Sequence, residues 1–182
     1  NYTLALVGSS VNITTRPLSA SVTAENKVYD GTTAATINGD ITLGNVVSGE
    51  TISAAYTSGA FADKNVGDNK TVILSDVSLS GAGASNYSLA ADSITSTASI
   101  TKAPLTLSGS RVYDGTATAN ASLFVTGGVL VTGVNGETLG LAGTGALVSK
   151  NAGDSGVALS DTSGLTLLDG TGKASNYTLG GG

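Results

Sequence analysis

The chain contains no cysteine and no histidine. Their absence excludes thiolate and imidazole metal sites, haem ligation, and Ser-His-Asp or Cys-His catalysis. It also excludes a disulfide-stapled fold. Tryptophan and methionine are missing too, prolines number two, and aromatics make up only 4% of residues. Charged residues are 12% of the chain, about half the usual share of a soluble domain. Eight Lys and Arg against 13 Asp and Glu leave a net charge of −5 and no basic groove for nucleic acid. No run approaches the roughly 18 apolar residues of a membrane helix, so no membrane insertion is expected, and no signal peptide opens the chain. It begins without Met and ends in "LGGG", which reads as a piece cut from something longer.

What is present is glycine (26 residues), serine, threonine and small aliphatics, with 40% apolar residues overall. That apolar share with so little charge argues against disorder. Short alternating runs rich in Val, Thr and Ile, punctuated by Gly, Asp and Asn, predict an all-β protein. No window pairs an i, i+3, i+4, i+7 apolar stripe with helix formers.

The chain repeats itself. "NYTL" at Asn1 returns as "SNYSL" around Asn86 and "SNYTL" around Asn176. "RPLS" from Arg16 returns as "APLT" from Ala103, and Tyr29-Asp30-Gly31 as Tyr113-Asp114-Gly115. "GET" from Gly49 answers "GET" from Gly136, and "DKNVGD" from Asp63 answers "SKNAGD" from Ser149. The marks keep one order at offsets of 84 to 90 residues, so insertions are small and belong in loops. The period divides the chain into residues 1–15, the closing strand of a preceding repeat; residues 16–102, a complete repeat; and residues 103–182, a second repeat lacking its closing strand. Strands are expected at "LSASVTAE" and its match "LTLSGSRV", and at "TAATING", "DITLGNVV", "TISAAYTSGAF", "KTVILSDVSL" and "SLAADSITSTASIT". Turn signals every 8–14 residues suit tandem small Ig-like β-sandwiches in an elongated array. A parallel β-helix would repeat at roughly 20–25 residues, a spacing with no self-similarity here.

"KVYDGTT", "FADKNVGDNKTV", "GAGASNYSL" and "ITKAPLT" together resemble the YDG/MBG-type repeats of large bacterial surface adhesins and exoproteins, many of them filamentous-haemagglutinin-like. The resemblance spans essentially the whole chain. The second repeat departs from it where Phe61, Asp63 and Lys27 become Leu147, Ser149 and Arg111, and in a longer Gly-rich loop near Leu165–Gly172. The resemblance implies an extracellular stalk or fibre on the bacterial cell surface, in adhesion or biofilm matrix. It implies no enzyme and no cofactor.

Tyr29-Asp30-Gly31 and Tyr113-Asp114-Gly115 read as structural corners, because Asp bonds its own backbone and Gly accepts positive φ. Each tyrosine ring should be buried beside a tight turn with its hydroxyl near backbone acceptors. Asn86-Tyr87 and Asn176-Tyr177 read as strand entries resembling a tyrosine corner. Five of the six tyrosines fall in these two motifs, which suits architecture better than an exposed sugar platform. Lys64-Asn65 and Lys150-Asn151 sit in expected solvated loops. A Lys–Asn isopeptide crosslink beside a buried acid is a sharper alternative, with Lys64 and Asn86 as its candidates. Asp30, Asp40, Asp63, Asp68, Asp76 and Asp92 lie at turns but form no calcium-binding run, so a solvated acidic surface is expected. Paired carboxylates for glycoside hydrolysis lack an aromatic cleft to work in. Six sequons (Asn1, Asn12, Asn69, Asn86, Asn120, Asn176) permit glycosylation without indicating it.

The function expected from these features is a stalk segment that spaces a binding tip from the cell. Its partners would be neighbouring repeats of the same chain. Two alternatives are an adhesive module holding a glycan or host protein through end loops, for which Leu165–Gly172 is the candidate, and a fibre subunit. In the latter, residues 1–15 would complete the second repeat of another copy by strand addition.

Overall fold

The computed structural model describes residues 8, 10–91, 93–154 and 156–180. Asn1 and Asp92, singled out above, and the tyrosine of the opening "NYTL" lie outside the described residues. Within them the protein is all-β: several small sheets, three single-turn 3-10 segments and no α-helix. In the first repeat β1 is Arg16–Ala24, β2 Lys27–Val28, β3 Ile37–Gly44, β4 Ser53–Ala55 and β5 Ser58–Phe61. β6 is Gly67–Ser75, β7 Ser78–Ser80, β8 Tyr87–Leu89 and β9 Ile94–Thr101. One sheet runs β3-β1-β8, a second β2-β9-β6-β5, and β4 pairs with β7. Period-two alternation explains the layering: Val72 and Leu74 of β6 and Ile94, Ala98 and Ile100 of β9 point inward, while Thr71, Thr95 and Thr97 between them face solvent.

The second repeat holds β10 (Ala103–Leu105), β11 (Thr118–Asn120), β12 (Leu130–Val131), β13 (Thr138–Leu147), β14 (Leu159–Asp161), β15 (Leu165–Leu168) and β16 (Tyr177–Leu179). β13 is its spine and pairs antiparallel with β11, β12, β14 and β15. The two repeats share one unusual joint. Arg16–Leu18 runs parallel to Tyr87–Leu89, and Ala103–Leu105 runs parallel to Tyr177–Leu179 in the same register.

Three expectations need correction. Leu165–Gly172 is no free loop: Leu165–Leu168 is strand β15 on β13, because Leu165 has a core position to fill. "LTLSGSRV" does not make a long strand. Only Ala103–Leu105 is paired there, and the backbone of Gly109 instead closes against Leu123, where a Cβ would meet the carbonyl oxygen at 2.2 Å. Residues 10–15 form no strand, since no neighbouring strand offers them a ladder.

The repeats are joined without a linker. β9 ends at Thr101, Lys102 intervenes, and β10 begins at Ala103. Pro104 follows at once, with φ restrained by its ring. Ile100 and Phe61 of the first repeat and Ala103, Leu105, Leu130, Leu139 and Tyr177 of the second belong to one continuous hydrophobic core.

Candidate functional site

Two turns build the feature that stands out at this joint. In the first repeat, Asp30 Oδ1 accepts from the Thr32 amide and hydroxyl, both at 2.9 Å, and closes an Asx turn. Lys27 Nζ clamps the turn, donating to Asp30 Oδ1 (2.8 Å) and to the Thr32 and Ala34 carbonyls (2.9 Å each). The turn thrusts the Tyr29 ring out of the first repeat's end and into the second repeat. Gly31, at φ +77°, lies so close to Asn135 that a Cβ would stand 2.7 Å from its Nδ2.

In the second repeat, Val134–Glu137 is a tight turn within the connection between β12 and β13. The Glu137 amide donates to the Val134 carbonyl at 2.8 Å, and Asn135 and Gly136 both have positive φ. This is the type I′ geometry that Asn-Gly favours. It places the Glu137 carboxylate under the incoming Tyr29.

The outcome is a buried carboxylate with three donors. Tyr29 Oη donates to Glu137, 2.9 and 3.0 Å from its two oxygens, and Tyr177 Oη donates to Oε2 at 2.7 Å. Lys64 Nζ completes the set at 2.5 Å from Oε1. The Tyr29 and Tyr177 rings pack edge to face, with centroids 5.3 Å apart. Glu137 is 6% exposed. Gly172 closes the far side, where a Cβ would stand 2.5 Å from Glu137 Oε2. Beside this cluster, Asn176 Oδ1 accepts from the Val66 amide at 3.0 Å, and its Nδ2 donates to Asn65 Oδ1 at 3.2 Å. Asn135 Nδ2 donates to the Asp30 carbonyl at 3.3 Å.

Charge and burial pull against each other here. Burial opposes ionisation of Glu137, but the bonds from Lys64, Tyr177 and Tyr29 outweigh it and hold the carboxyl below its usual range. The bond to Glu137 raises Lys64. Burial, reinforced by the carboxylate, raises Tyr29, and burial pushes Tyr177 up to about 12. A carboxylate, an ammonium and two neutral phenols are therefore the stable set. They clamp two surfaces together and leave no free base or nucleophile.

The sequence-derived candidates divide around this cluster. Tyr29, Asp30, Gly31, Asn176 and Tyr177 come together across the joint, with Lys64 and Asn65 beside them. Their repeat mates stay apart. Asn86 ends the 3-10 turn Ala84–Asn86, while Tyr87 Oη donates to Glu50 and accepts from the Val47 amide at 3.1 Å. Asp114 accepts from Thr116 as Asp30 does from Thr32, and Arg111 clamps that turn in place of Lys27. Tyr113 departs from expectation: it is 58% exposed, whereas Tyr29 is 3% exposed. Tyr29 is buried by a following repeat, not by its own turn. Lys64 spends its charge on Glu137, which disfavours the neutral amine an isopeptide bond requires. Among the described residues no three acidic side chains gather as a cation site. Glu137 and its mate Glu50 marked the repeat only as part of "GET". Their signal was rarity, since the chain has three glutamates and two fall at this one position.

The YDG domain family model matches twice, over residues 14–96 and 94–182. The chain therefore belongs to the YDG domain family. Curated proteins and solved structures show no match to it.

Proposed function

From the premise of two YDG domains in tandem, we propose that this chain is a structural stalk segment of a bacterial cell-surface adhesin or biofilm matrix protein, holding a binding tip away from the cell. Each domain is read as a small Ig-like β-sandwich bead in an elongated extracellular array. The observation that carries this reading is the joint. The Y-D-G and K-N motifs of one repeat close on the glutamate and N-Y motifs of the next, around a carboxylate buried from water. A one-residue connection and a shared core leave little freedom to bend. Tension along the chain would have to break strand ladders and the buried cluster together, as suits a load-bearing shaft with stability drawn from both repeats and their interface. Weakly charged Ser, Thr and Gly surfaces suit an inert spacer.

Small-angle scattering with single-molecule pulling tests this reading. A stiff two-bead rod is expected, with Glu137→Gln lowering the force at which the beads separate. A chain whose beads reorient freely in solution would refute a spacer built on a rigid joint. A loop-borne adhesive function gains no specific support, because the Leu165–Gly172 expansion packs onto β13 and Glu137.

A further inference from the structure

The two repeats differ in the turn that carries the clamping glutamate. The first reads Ser48-Gly49-Glu50 and the second Asn135-Gly136-Glu137. An Asn-Gly pair has a reaction of its own that Ser-Gly lacks. The backbone nitrogen of the glycine can attack the side-chain amide carbon of the asparagine, because no Cβ on the glycine shields that nitrogen. Folded chains restrain this attack where the glycine amide is hydrogen-bonded or packed over.

Neither restraint operates at this turn. Asn135 and Gly136 are both exposed. The Gly136 amide makes no hydrogen bond among the described residues, since the bond closing the turn runs from the Glu137 amide to the Val134 carbonyl. The space beside Gly136 is open, and a Cβ built there would meet no atom within 4 Å. The Asn135 side chain is tethered across the joint by its 3.3 Å bond from Nδ2 to the Asp30 carbonyl. The chain's other Asn-Gly pair, Asn38-Gly39, differs. It lies inside strand β3, where Asn38 is in register with Thr23 of β1.

We propose that Asn135-Gly136 is a self-modification site whose deamidation loosens the joint between the repeats. The Gly136 nitrogen bonds to Asn135 Cγ and the Cγ–Nδ2 bond breaks. Nδ2 departs as ammonia, taking the proton that the Gly136 nitrogen gives up, and a cyclic imide remains. Solvent water then adds to either imide carbonyl and opens the ring, leaving aspartate or its β-linked isomer at position 135. Water is the only co-reactant, and nothing is oxidised or reduced.

Both products weaken the joint. Each loses the donor to the Asp30 carbonyl and sets a carboxylate against that oxygen instead. The β-linked product also threads Cβ into the main chain. The turn between Val134 and Glu137 is then one atom longer, and its closing bond no longer fits. Glu137 is drawn away from Tyr29, Lys64 and Tyr177 as a result. The reaction depends on the geometry of the turn and not on the stalk reading.

The test is incubation of the whole chain for days in warm neutral buffer, followed by intact mass, peptide mapping and urea denaturation. Asn135→Ser, which installs the first repeat's residue, is incubated beside it. The wild type is expected to gain about 1 Da, through an intermediate about 17 Da lighter than the starting chain. The change should map to Asn135, with Asn38 lagging behind. Converted wild type should unfold at lower urea than fresh wild type, while incubated Asn135→Ser keeps its own fresh midpoint. No mass gain at Asn135, faster conversion at Asn38, or a converted chain with the fresh midpoint would each overturn the proposal.

Discussion

At the scale of single residues, Glu137 concentrates the chemistry of the joint. Its two tyrosine donors are buried and its lysine partner is half-exposed, so the phenols should contribute more than the ion pair. Glu137→Gln preserves shape but turns an acceptor of three charge-assisted bonds into a mismatched amide, at an expected cost of about 1–3 kcal/mol. Lys64→Met removes a pair whose ammonium is half-exposed and screened by solvent, and should cost less than Glu137→Gln. Urea denaturation midpoints rank the two, and the opposite order would show that the ammonium dominates. The pH dependence follows from the same cluster. Glu137 has a folded pKa below its unfolded value of about 4.3, so its contribution is complete above that pH and is lost as pH falls through the folded value. Tyr177, raised to about 12, contributes fully below an unfolded pKa of about 10 and loses that contribution as pH rises toward 12. Thermal melts across pH should decline on both flanks, and Glu137→Gln should flatten the acid one.

Turns, at the scale of elements, decide where the buried groups go. Gly31 and Gly115 share φ +77° and the same Asx turn, yet their surroundings differ. A Cβ on Gly31 meets Asn135 Nδ2 at 2.7 Å, while one on Gly115 has only Tyr113 Oη, at 3.9 Å. Both Gly→Ala variants bear the left-handed backbone penalty of about 1–2 kcal/mol. Gly31→Ala should lose more, because it also pushes the second repeat away. Equal losses in chemical denaturation would mean that the Y-D-G turn acts only within its own repeat. Legibility in the sequence follows the same division. The Asx turns at Asp30 and Asp114 and the Asn135-Gly136 hairpin depend on neighbours two or three positions away, so local residue types suffice to predict them. In sequence, strand β15 resembles a loop because its glycine-rich flanks look like turn signals. Those glycines in fact allow close approach to Thr138 and Glu137.

For the whole molecule the question is whether two repeats behave as one unit. Their cores merge through Ile100, Ala103, Leu105 and Tyr177, and the buried Glu137 carboxylate takes donors from both repeats. Calorimetry should therefore give a single transition whose van't Hoff and calorimetric enthalpies agree. Tyr29→Phe combined with Glu137→Gln removes the polar half of the clamp and should broaden or split that transition. A wild-type melt already in two steps would show an interface too weak to couple the two repeats.

The sequence by itself determined the all-β class, the repeat of 84 to 90 residues and the chemistry of the turns, because each depends on local periodicity and residue type. It also marked Tyr29, Asn176 and Tyr177 as architectural. Only the tertiary structure decided that Tyr29 meets Glu137 across 108 residues, and that Tyr113, with the same local sequence, meets solvent. The physical reason is that the two repeats carry the same Y-D-G turn into different surroundings. Local sequence cannot say whether a tyrosine is buried by its own turn or by the repeat that follows; the packing of one bead on the next settles it.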